Sequence, residues 1–191
     1  MILSWPLEYD RDSHVMYALD ENFLIVRCNP AWDKFALENN GSRAKQKHVV
    51  GLCLFAVIPR DLFPFYDAGF QIARRRGRWQ HDLDCSSARV LRRLRMTVAP
   101  FGSGLLIRNV PLQDTLAPSS EAHGQWGDYG PGITMCCHCR RTENKKTNIW
   151  QWVPEFLEQR PPDLRSRLCP ACWAYHYGEA EESGKTPISA A

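Results

Sequence analysis

Hydrophobic and polar positions alternate along several stretches of the first 112 residues, which is typical of β-strands with one buried face. In HVMYALD, the side chains of Val15, Tyr17 and Leu19 fall on the same face. The turn residues DEN follow, and the β-branched run FLIVRCN after them predicts a second strand. The chain therefore begins with a predicted hairpin.

Three further strands are predicted toward residue 112. WQHDLDCSS, RVLRRLRMTVAPF and GSGLLIRNVPL follow one another, and the third begins at a Gly-rich turn. The residues predicted to face inward are Trp79, His81, Leu83 and Cys85 on the first strand, and Val90, Leu94, Met96 and Val98 on the second. These strands predict an antiparallel arrangement.

Helices are predicted between the hairpin and the later strands. In NPAWDKFALENNG, Asn29 can cap the helix, Pro30 suits its first position and Gly41 follows its end. DLFPFYDAGFQIARRRG predicts another helix, with Asp61 as its N-cap and Gly77 at its end. Two strands, short helices and three strands together predict an α+β fold.

This order of elements resembles the PAS sensor domain over roughly residues 9–112. The residues that carry the resemblance are ALDENFLIVRCNPAWDKFA, VVGLCLFAVIP and FGSGLLIRNV. The resemblance implies a five-stranded antiparallel sheet with flanking helices around a pocket that takes haem, flavin, a small metabolite or nothing. It also implies a homodimer.

The sequence offers one candidate cofactor residue for that pocket. Haem needs an axial ligand, and His81 lies on the inner face of its predicted strand. We favour the alternative that His81 is a buried, hydrogen-bonded structural imidazole. A light-sensing flavin domain would need Gly-x-Asn-Cys, whereas residues 51–53 read GLC and lack the asparagine. Cys28, Cys53 and Cys85 are expected to pack as small hydrophobic side chains.

The composition changes after residue 112. Residues 113–132, QDTLAPSSEAHGQWGDYGPG, are rich in Gly, Pro, Ser and acids and predict a linker. Residues 133–178 contain two Cys-x-x-Cys pairs, and residues 179–191 form a polar tail. The predicted organisation is therefore a sensor domain (1–112), a linker, a cysteine module and a tail.

The two Cys-x-x-Cys pairs predict a structural zinc site. The candidate ligands are Cys136, Cys139, Cys169 and Cys172. Each pair can direct two sulfurs at one centre, and zinc prefers four tetrahedral ligands that include thiolates. A module of about 45 residues builds only a small core. We therefore expect the metal and the aromatic side chains to form it, namely Trp150, Trp152, Trp173, Tyr175 and Tyr177.

Two alternatives for this module stay open. Cys137 or His138 could replace a member of the first pair, although only Cys136 with Cys139 keeps the two-residue gap. CPAC also resembles the active site of thiol-disulfide enzymes, and Pro170 predicts that a helix begins there. A redox site does not need a second pair, so zinc is favoured.

The module as a whole resembles a Cys-rich tail that follows sensor domains in bacterial signalling proteins. The matching residues are Met135-Cys136, Cys139-Arg140-Arg141, residues 150–157, Leu168-Cys169-Pro170 and Cys172. The resemblance implies a zinc-ribbon-like module that follows a PAS-like domain.

Charge and hydropathy narrow the function classes. The net charge of +3 is small for a nucleic-acid-binding protein, and no apolar run reaches the length of a membrane span. The N-terminal residues lack the pattern of a secretory signal, which predicts a cytoplasmic protein without a membrane partner. No Ser-His-Asp set, carboxylate pair or phosphate-binding glycine loop is evident, so we expect no enzyme.

The leading hypothesis is a signalling protein that senses through its PAS-like domain and relays its state to a protein partner through the zinc module. One alternative is a nucleic-acid-binding regulator that contacts phosphates through Arg140, Arg141, Lys145 and Lys146. The other is a thiol redox sensor.

Overall fold

A computed structural model describes residues 5–39, 41–121, 129–130 and 132–178. The chain forms two compact units: the first comprises Met1–Cys85 and Leu91–Thr115, and the second comprises Ser86–Val90 and Leu116–Ala191. Part of the predicted linker (122–128 and 131) and the predicted tail (179–191) lie outside the described residues.

The first unit contains five helices and five strands within its described residues. The helices are α1 (Leu7–Arg11), α2 (Pro30–Glu38), α3 (Gln46–Val49), α4 (Leu54–Val57) and α5 (Phe63–Arg76). The strands are β1 (Val15–Leu19), β2 (Ile25–Cys28), β3 (Trp79–Asp84), β4 (Val90–Phe101) and β5 (Gly104–Leu116). They form one sheet in the order β2-β1-β5-β4-β3. The predicted α+β class, with a five-stranded antiparallel sheet and flanking helices, is confirmed.

Alternation along the strands sets the buried face of this sheet. Leu94, Met96 and Val98 of β4 are buried as predicted, whereas their neighbours Arg93 and Arg95 are exposed. On β5, Leu105 and Ile107 share the corresponding inner face and are fully buried. The period-2 pattern therefore predicted the core side of β4.

Asn29 joins β2 to α2 through a buried hydrogen-bond network. Its Oδ1 accepts from the backbone N–H of Met16 at 3.0 Å and from that of Trp32 at 3.2 Å, which confirms its role as N-cap. Its Nδ2 donates to backbone carbonyl oxygens of the α1–β1 segment, the shortest being that of His14 at 2.8 Å. One fully buried side chain thus fixes β1, α2 and the segment before β1.

Two predicted boundaries in the first unit were wrong. A 3₁₀ turn at Arg60–Leu62 precedes α5, so Leu62 rather than Asp61 occupies the N-cap position. Strand β5 continues to Leu116, four residues beyond the predicted end, and Arg92 of β4 donates to Asp114 at 3.1 Å in this extension. The predicted end of α5 at Gly77 is confirmed, because its φ of 81° suits glycine.

The second unit contains four short strands and two helices within its described residues. They are β6 (Thr134–Cys136), β7 (Thr142–Asn144), β8 (Ile149–Gln151), α6 (Glu155–Glu158), β9 (Arg165–Arg167) and α7 (Pro170–Tyr177). The sheet order is β8-β7-β6-β9, with β6 and β9 parallel and the other pairs antiparallel.

The core of the second unit differs from the predicted one. Tyr129, Met135, Val153 and Phe156 form a buried apolar cluster. Trp152 is also buried, but Trp173 and Tyr175 are 45% and 47% exposed, so the prediction that they belong to the core was wrong. Both residues belong to α7, and about half of each side chain stays accessible to solvent.

The ion pair between Asp12 and Arg108 predicts a pH-dependent contribution to stability. Partial burial raises the pKa of Asp12, but hydrogen bonds from Arg108 and the His14 N–H outweigh it and lower the pKa from 3.8 to about 2. The contribution is therefore present above about pH 4 and is lost as the pH falls toward 2. We expect Arg108→Gln to lower the free energy of unfolding by about 1 kcal/mol at pH 6.

Urea unfolding at pH 6, 4 and 3 measures this dependence. The difference between wild type and Arg108→Gln should shrink as the pH falls, whereas exposed Arg75→Gln should show no such trend. A difference that stayed constant down to pH 3 would contradict the assigned pairing.

Within the described part of the chain, no helix combines the length and the apolar character needed to span a membrane.

Candidate metal centre and ligand cavity

The pairing of β6 with β9 brings the two Cys-x-x-Cys pairs together. The two strands are parallel, with Cys136 opposite Arg167, so their carboxyl ends meet at the same edge of the sheet. Cys136 ends β6 and Cys139 lies in the turn after it. Cys169 follows β9 by two residues. Two segments that are distant in sequence thus deliver their cysteines to one place.

The four predicted sulfurs form a compact cluster. The Sγ atoms of Cys136, Cys139, Cys169 and Cys172 all lie within 4.8 Å of one another, and those of Cys139 and Cys169 are 3.8 Å apart. A tetrahedral zinc with Zn–S bonds of about 2.3 Å requires sulfurs roughly 3.8 Å apart. The arrangement can therefore bind a metal ion of that size.

Electrostatics also favour a cation in this cluster. The backbone N–H of Cys169 donates to Cys136 Sγ at 3.3 Å, and that of Cys172 donates to Cys169 Sγ at 3.4 Å. A hydrogen bond from the Cys139 thiol lowers the pKa of Cys136, whereas contact with Cys136 raises the pKa of Cys172. Without a cation only part of the cluster ionises, while a dication stabilises four thiolates together.

Cys137 and His138 lie outside the cluster. Both are buried, and neither belongs to the group of four side chains among the described residues that could hold a metal ion. The His138 ring stacks on Tyr175 at 5.4 Å and lies 4.6 Å from the ring of His176. Aromatic packing against α7 thus accounts for the position of His138.

The basic residues after the first pair support the turn in different ways. Arg140 has a φ of 64°, and its N–H donates to Cys136 O at 3.1 Å, closing the turn around the sulfurs. The Arg141 guanidinium forms a two-pronged ion pair with Glu121, whose carboxylate also accepts from the Trp152 N–H at 2.9 Å. Arg141 is therefore engaged within the second unit.

The redox alternative has one structural observation in its favour. Helix α7 begins at Pro170 as predicted, and Cys169 occupies its N-cap position. A helix N-terminus stabilises a thiolate, which is the usual setting of a reactive Cys-x-x-Cys pair. The other pair nevertheless lies in the same cluster, and a redox pair does not require it.

The first unit contains a cavity of about 370 Å³ that is partly open to the outside. This volume lies in the range of small-molecule sites. Among the residues that the structure describes, those that line the cavity are Val15, Tyr17, Trp32, Phe35, Ala36, Asn39, Gly41, Ala44, Leu54, Ile58, Tyr66, Phe70, Leu83, Cys85, Leu94, Met96 and Asn109. The inner faces of β1, β3, β4 and β5 and the helices opposite them supply these residues. The cavity is a candidate ligand site.

His81, the weak cofactor candidate, is not part of that lining. Its ring stacks on Trp79 at 5.7 Å and meets Phe65 edge-on at 4.6 Å, within an aromatic cluster between α5 and β3. The residue is half-buried rather than fully buried, and aromatic packing accounts for its position. Cys85 does line the cavity, and burial raises the pKa of Cys28 to about 12, so that thiol stays neutral.

Sequence reasoning missed the polar groups of the cavity. Asn39 accepts from Arg92 at 2.9 Å through Oδ1 and donates to Phe35 O at 2.8 Å through Nδ2. Asn109 continues the inward-facing series of Leu105 and Ile107, and its buried Oδ1 accepts no hydrogen bond from the part of the chain that the structure describes. The alternation along β5 could have identified Asn109 as an inward polar residue.

Comparisons with known proteins give structural similarity at low identity. No protein-family model matches the chain, and no curated protein matches it. A PAS domain from Colwellia psychrerythraea is similar at 10% identity with a TM-score of 0.44, covering 56% of this chain and 92% of that one.

Two further solved structures are similar. The photoactive yellow protein domain of the sensor histidine kinase Ppr from Rhodospirillum centenum has 16% identity and a TM-score of 0.39, and the match covers 54% of this chain and 89% of that one. The PAS domain of nitrogen regulation protein NR(II) from Vibrio parahaemolyticus has 20% identity and a TM-score of 0.34, and the match covers 56% of this chain and 95% of that one. With TM-scores below 0.5, these similarities do not assign a ligand, an activity or a partner to this chain.

Proposed function

We propose that this protein is a non-enzymatic signalling regulator that senses through a PAS-like domain and relays its state through a structural zinc module. The observation that carries the sensing role is the cavity of about 370 Å³ inside the first unit. Such a volume, in a cavity with largely apolar walls, suits a small ligand.

The zinc assignment rests on the chemistry of the four sulfurs. Thiolate is a preferred zinc ligand, and four protein ligands leave no open position for a substrate or a reactive water. The apolar core cluster found among the described residues of the second unit is small, with Tyr129, Met135, Val153 and Phe156 as its buried members. A metal would therefore supply much of its folding free energy.

Nucleic-acid binding through the second unit has less support. Of the four basic residues that could contact phosphates, Arg141 pairs with Glu121 and Lys145 donates to Gly132 O at 3.0 Å. Two of the four cations are thus engaged in internal contacts. A phosphate-binding surface needs several basic side chains that are exposed to solvent and not engaged in internal contacts.

We further propose that the protein acts in the bacterial cytoplasm as a homodimer, as its resemblance to PAS domains with cysteine-rich tails implies. Reduced thiols in that compartment suit a zinc-thiolate centre.

Quantitative affinity capture tests the relay. Tagged wild-type protein, a metal-site variant (Cys139→Ala) and a cavity-filling variant (Ala36→Met) are compared against the same bacterial lysate, with capture on low-salt DNA in parallel. We expect at least one protein whose recovery changes about tenfold in both variants. Identical recovery from all three baits would contradict the relay, and salt-sensitive retention on DNA would favour the nucleic-acid alternative.

A further inference from the structure

We infer that the cavity of the first unit takes a neutral aromatic molecule that carries a hydrogen-bond donor, and that Asn109 recognises this donor. The inference deepens the proposed sensing function and rests on it, since it names the chemical class of the ligand. Three features of the cavity carry it: its lack of charge, its aromatic walls and one unsatisfied acceptor.

The lining carries no charged side chain among its described residues. It contains no Lys, Arg, His, Asp or Glu. The Arg92 guanidinium lies 5.0 Å from the ring centre of the cavity residue Phe35, but it donates to Asp114 at 3.1 Å and its charge is offset there. Burying a charged group without an opposite charge or hydrogen bonds to compensate it costs on the order of several kcal/mol. The described lining therefore offers no charged partner to a phosphate or carboxylate that is buried against it.

Five aromatic side chains contribute to the walls. Tyr17, Trp32, Phe35, Tyr66 and Phe70 all line the cavity. Burial raises the pKa of Tyr17 well above its ordinary value, so its hydroxyl stays neutral. Rings pack on one another in edge-to-face and offset geometries that add to the energy of burial. A flat, apolar ligand gains most from such walls.

Asn109 supplies the polar recognition. It lies opposite Val15 in the register of β1 with β5, and both residues line the cavity. Its Oδ1 is buried and has no hydrogen-bond partner among the described residues, whereas both ends of the Asn39 amide are already engaged. A buried acceptor without a partner costs free energy that a donor on the ligand would recover. Asn109 is thus the group that distinguishes a ligand with an N–H or O–H donor from the corresponding ether, which has none.

Three naphthalene probes test the ligand class by isothermal titration calorimetry on the metal-bound full chain. They are 2-naphthol (a neutral donor), 2-methoxynaphthalene (neutral, no donor) and naphthalene-2-sulfonate (an anion). We expect 2-naphthol to bind about tenfold more tightly than the ether and at least about a hundredfold more tightly than the sulfonate. Tryptophan fluorescence locates the probe. Quenching that is seen in the wild type and lost in Trp32→Phe would place the probe in the cavity, because Trp32 lines it.

Asn109→Leu tests the acceptor, with Gln80→Leu as its matched control on the outward face of the same sheet. Asn109→Leu should abolish the preference for 2-naphthol over the ether without lowering the melting temperature, while Gln80→Leu should keep the preference. Failure of all three probes to bind at 1 mM, tightest binding of the sulfonate, or an unchanged preference in Asn109→Leu would each overturn the inference. Zinc content and partner capture report separately on the proposed function.

Discussion

Replacing Cys139 by alanine is expected to remove the metal and unfold the second unit. Cys139 contributes one of four clustered sulfurs, and its Sγ lies 3.8 Å from that of Cys169. Structural zinc contributes an apparent ~10–16 kcal/mol to the folding of small zinc modules. Three remaining ligands should bind zinc at least about a thousandfold more weakly. Metal analysis after dialysis and amide hydrogen exchange over residues 133–178 measure both effects.

Cys137→Ala is the matched control for that prediction. Cys137 is more buried than Cys139 but lies outside the sulfur cluster. If the cysteines stabilised the unit only through packing, replacing the more buried one would cause the larger loss of stability. We expect Cys137→Ala to retain one zinc per chain and to lose only about 1 kcal/mol. Loss of metal from Cys137→Ala with retention in Cys139→Ala would show that the ligand set is shifted.

Asn29→Ala is expected to destabilise the first unit by about 3–5 kcal/mol, because several buried backbone groups lose their partner. The Met16 N–H is buried and donates to Asn29 Oδ1 at 3.0 Å, so its loss leaves an unsatisfied donor in the core. The same substitution removes the N-cap of α2, which contributes about 1 kcal/mol by itself.

Urea unfolding of the metal-saturated protein, followed by tryptophan fluorescence, measures this loss. Asn22→Ala, at an exposed turn position, should change the free energy of unfolding by less than about 0.5 kcal/mol. Asn29→Asp keeps the acceptor and removes the donor, so we expect an intermediate loss. A loss below about 1 kcal/mol in Asn29→Ala would contradict the network described here.

Local patterns predicted those parts of the fold that local physics determines. Alternation identified the inner face of β4 through Leu94, Met96 and Val98, and the sequence Asn29-Pro30 predicted the start of α2. The four clustered cysteines could also be picked out as candidate metal ligands, because two-residue spacing brings two sulfurs to one centre. Their meeting in one cluster fits that prediction.

Features that depend on distant contacts were not predictable from local patterns. The parallel pairing of β6 with β9 joins residues about thirty positions apart and leaves no periodic signal. The exposure of Trp173 and Tyr175 follows from where α7 packs, and aromatic composition alone suggested burial. The hydrogen bonds of Asn29 beyond its N-cap role, to carbonyl oxygens before β1, likewise depend on tertiary packing.

The central claim is a four-thiolate zinc centre in the second unit, and X-ray absorption at the zinc edge of the purified chain tests it most directly. We predict one zinc per chain with four sulfur neighbours at about 2.3 Å and no nitrogen neighbour. A nitrogen neighbour would assign His138 as a ligand in place of one cysteine. Absence of zinc, with the cysteines oxidised in pairs, would contradict the account and favour the thiol redox sensor.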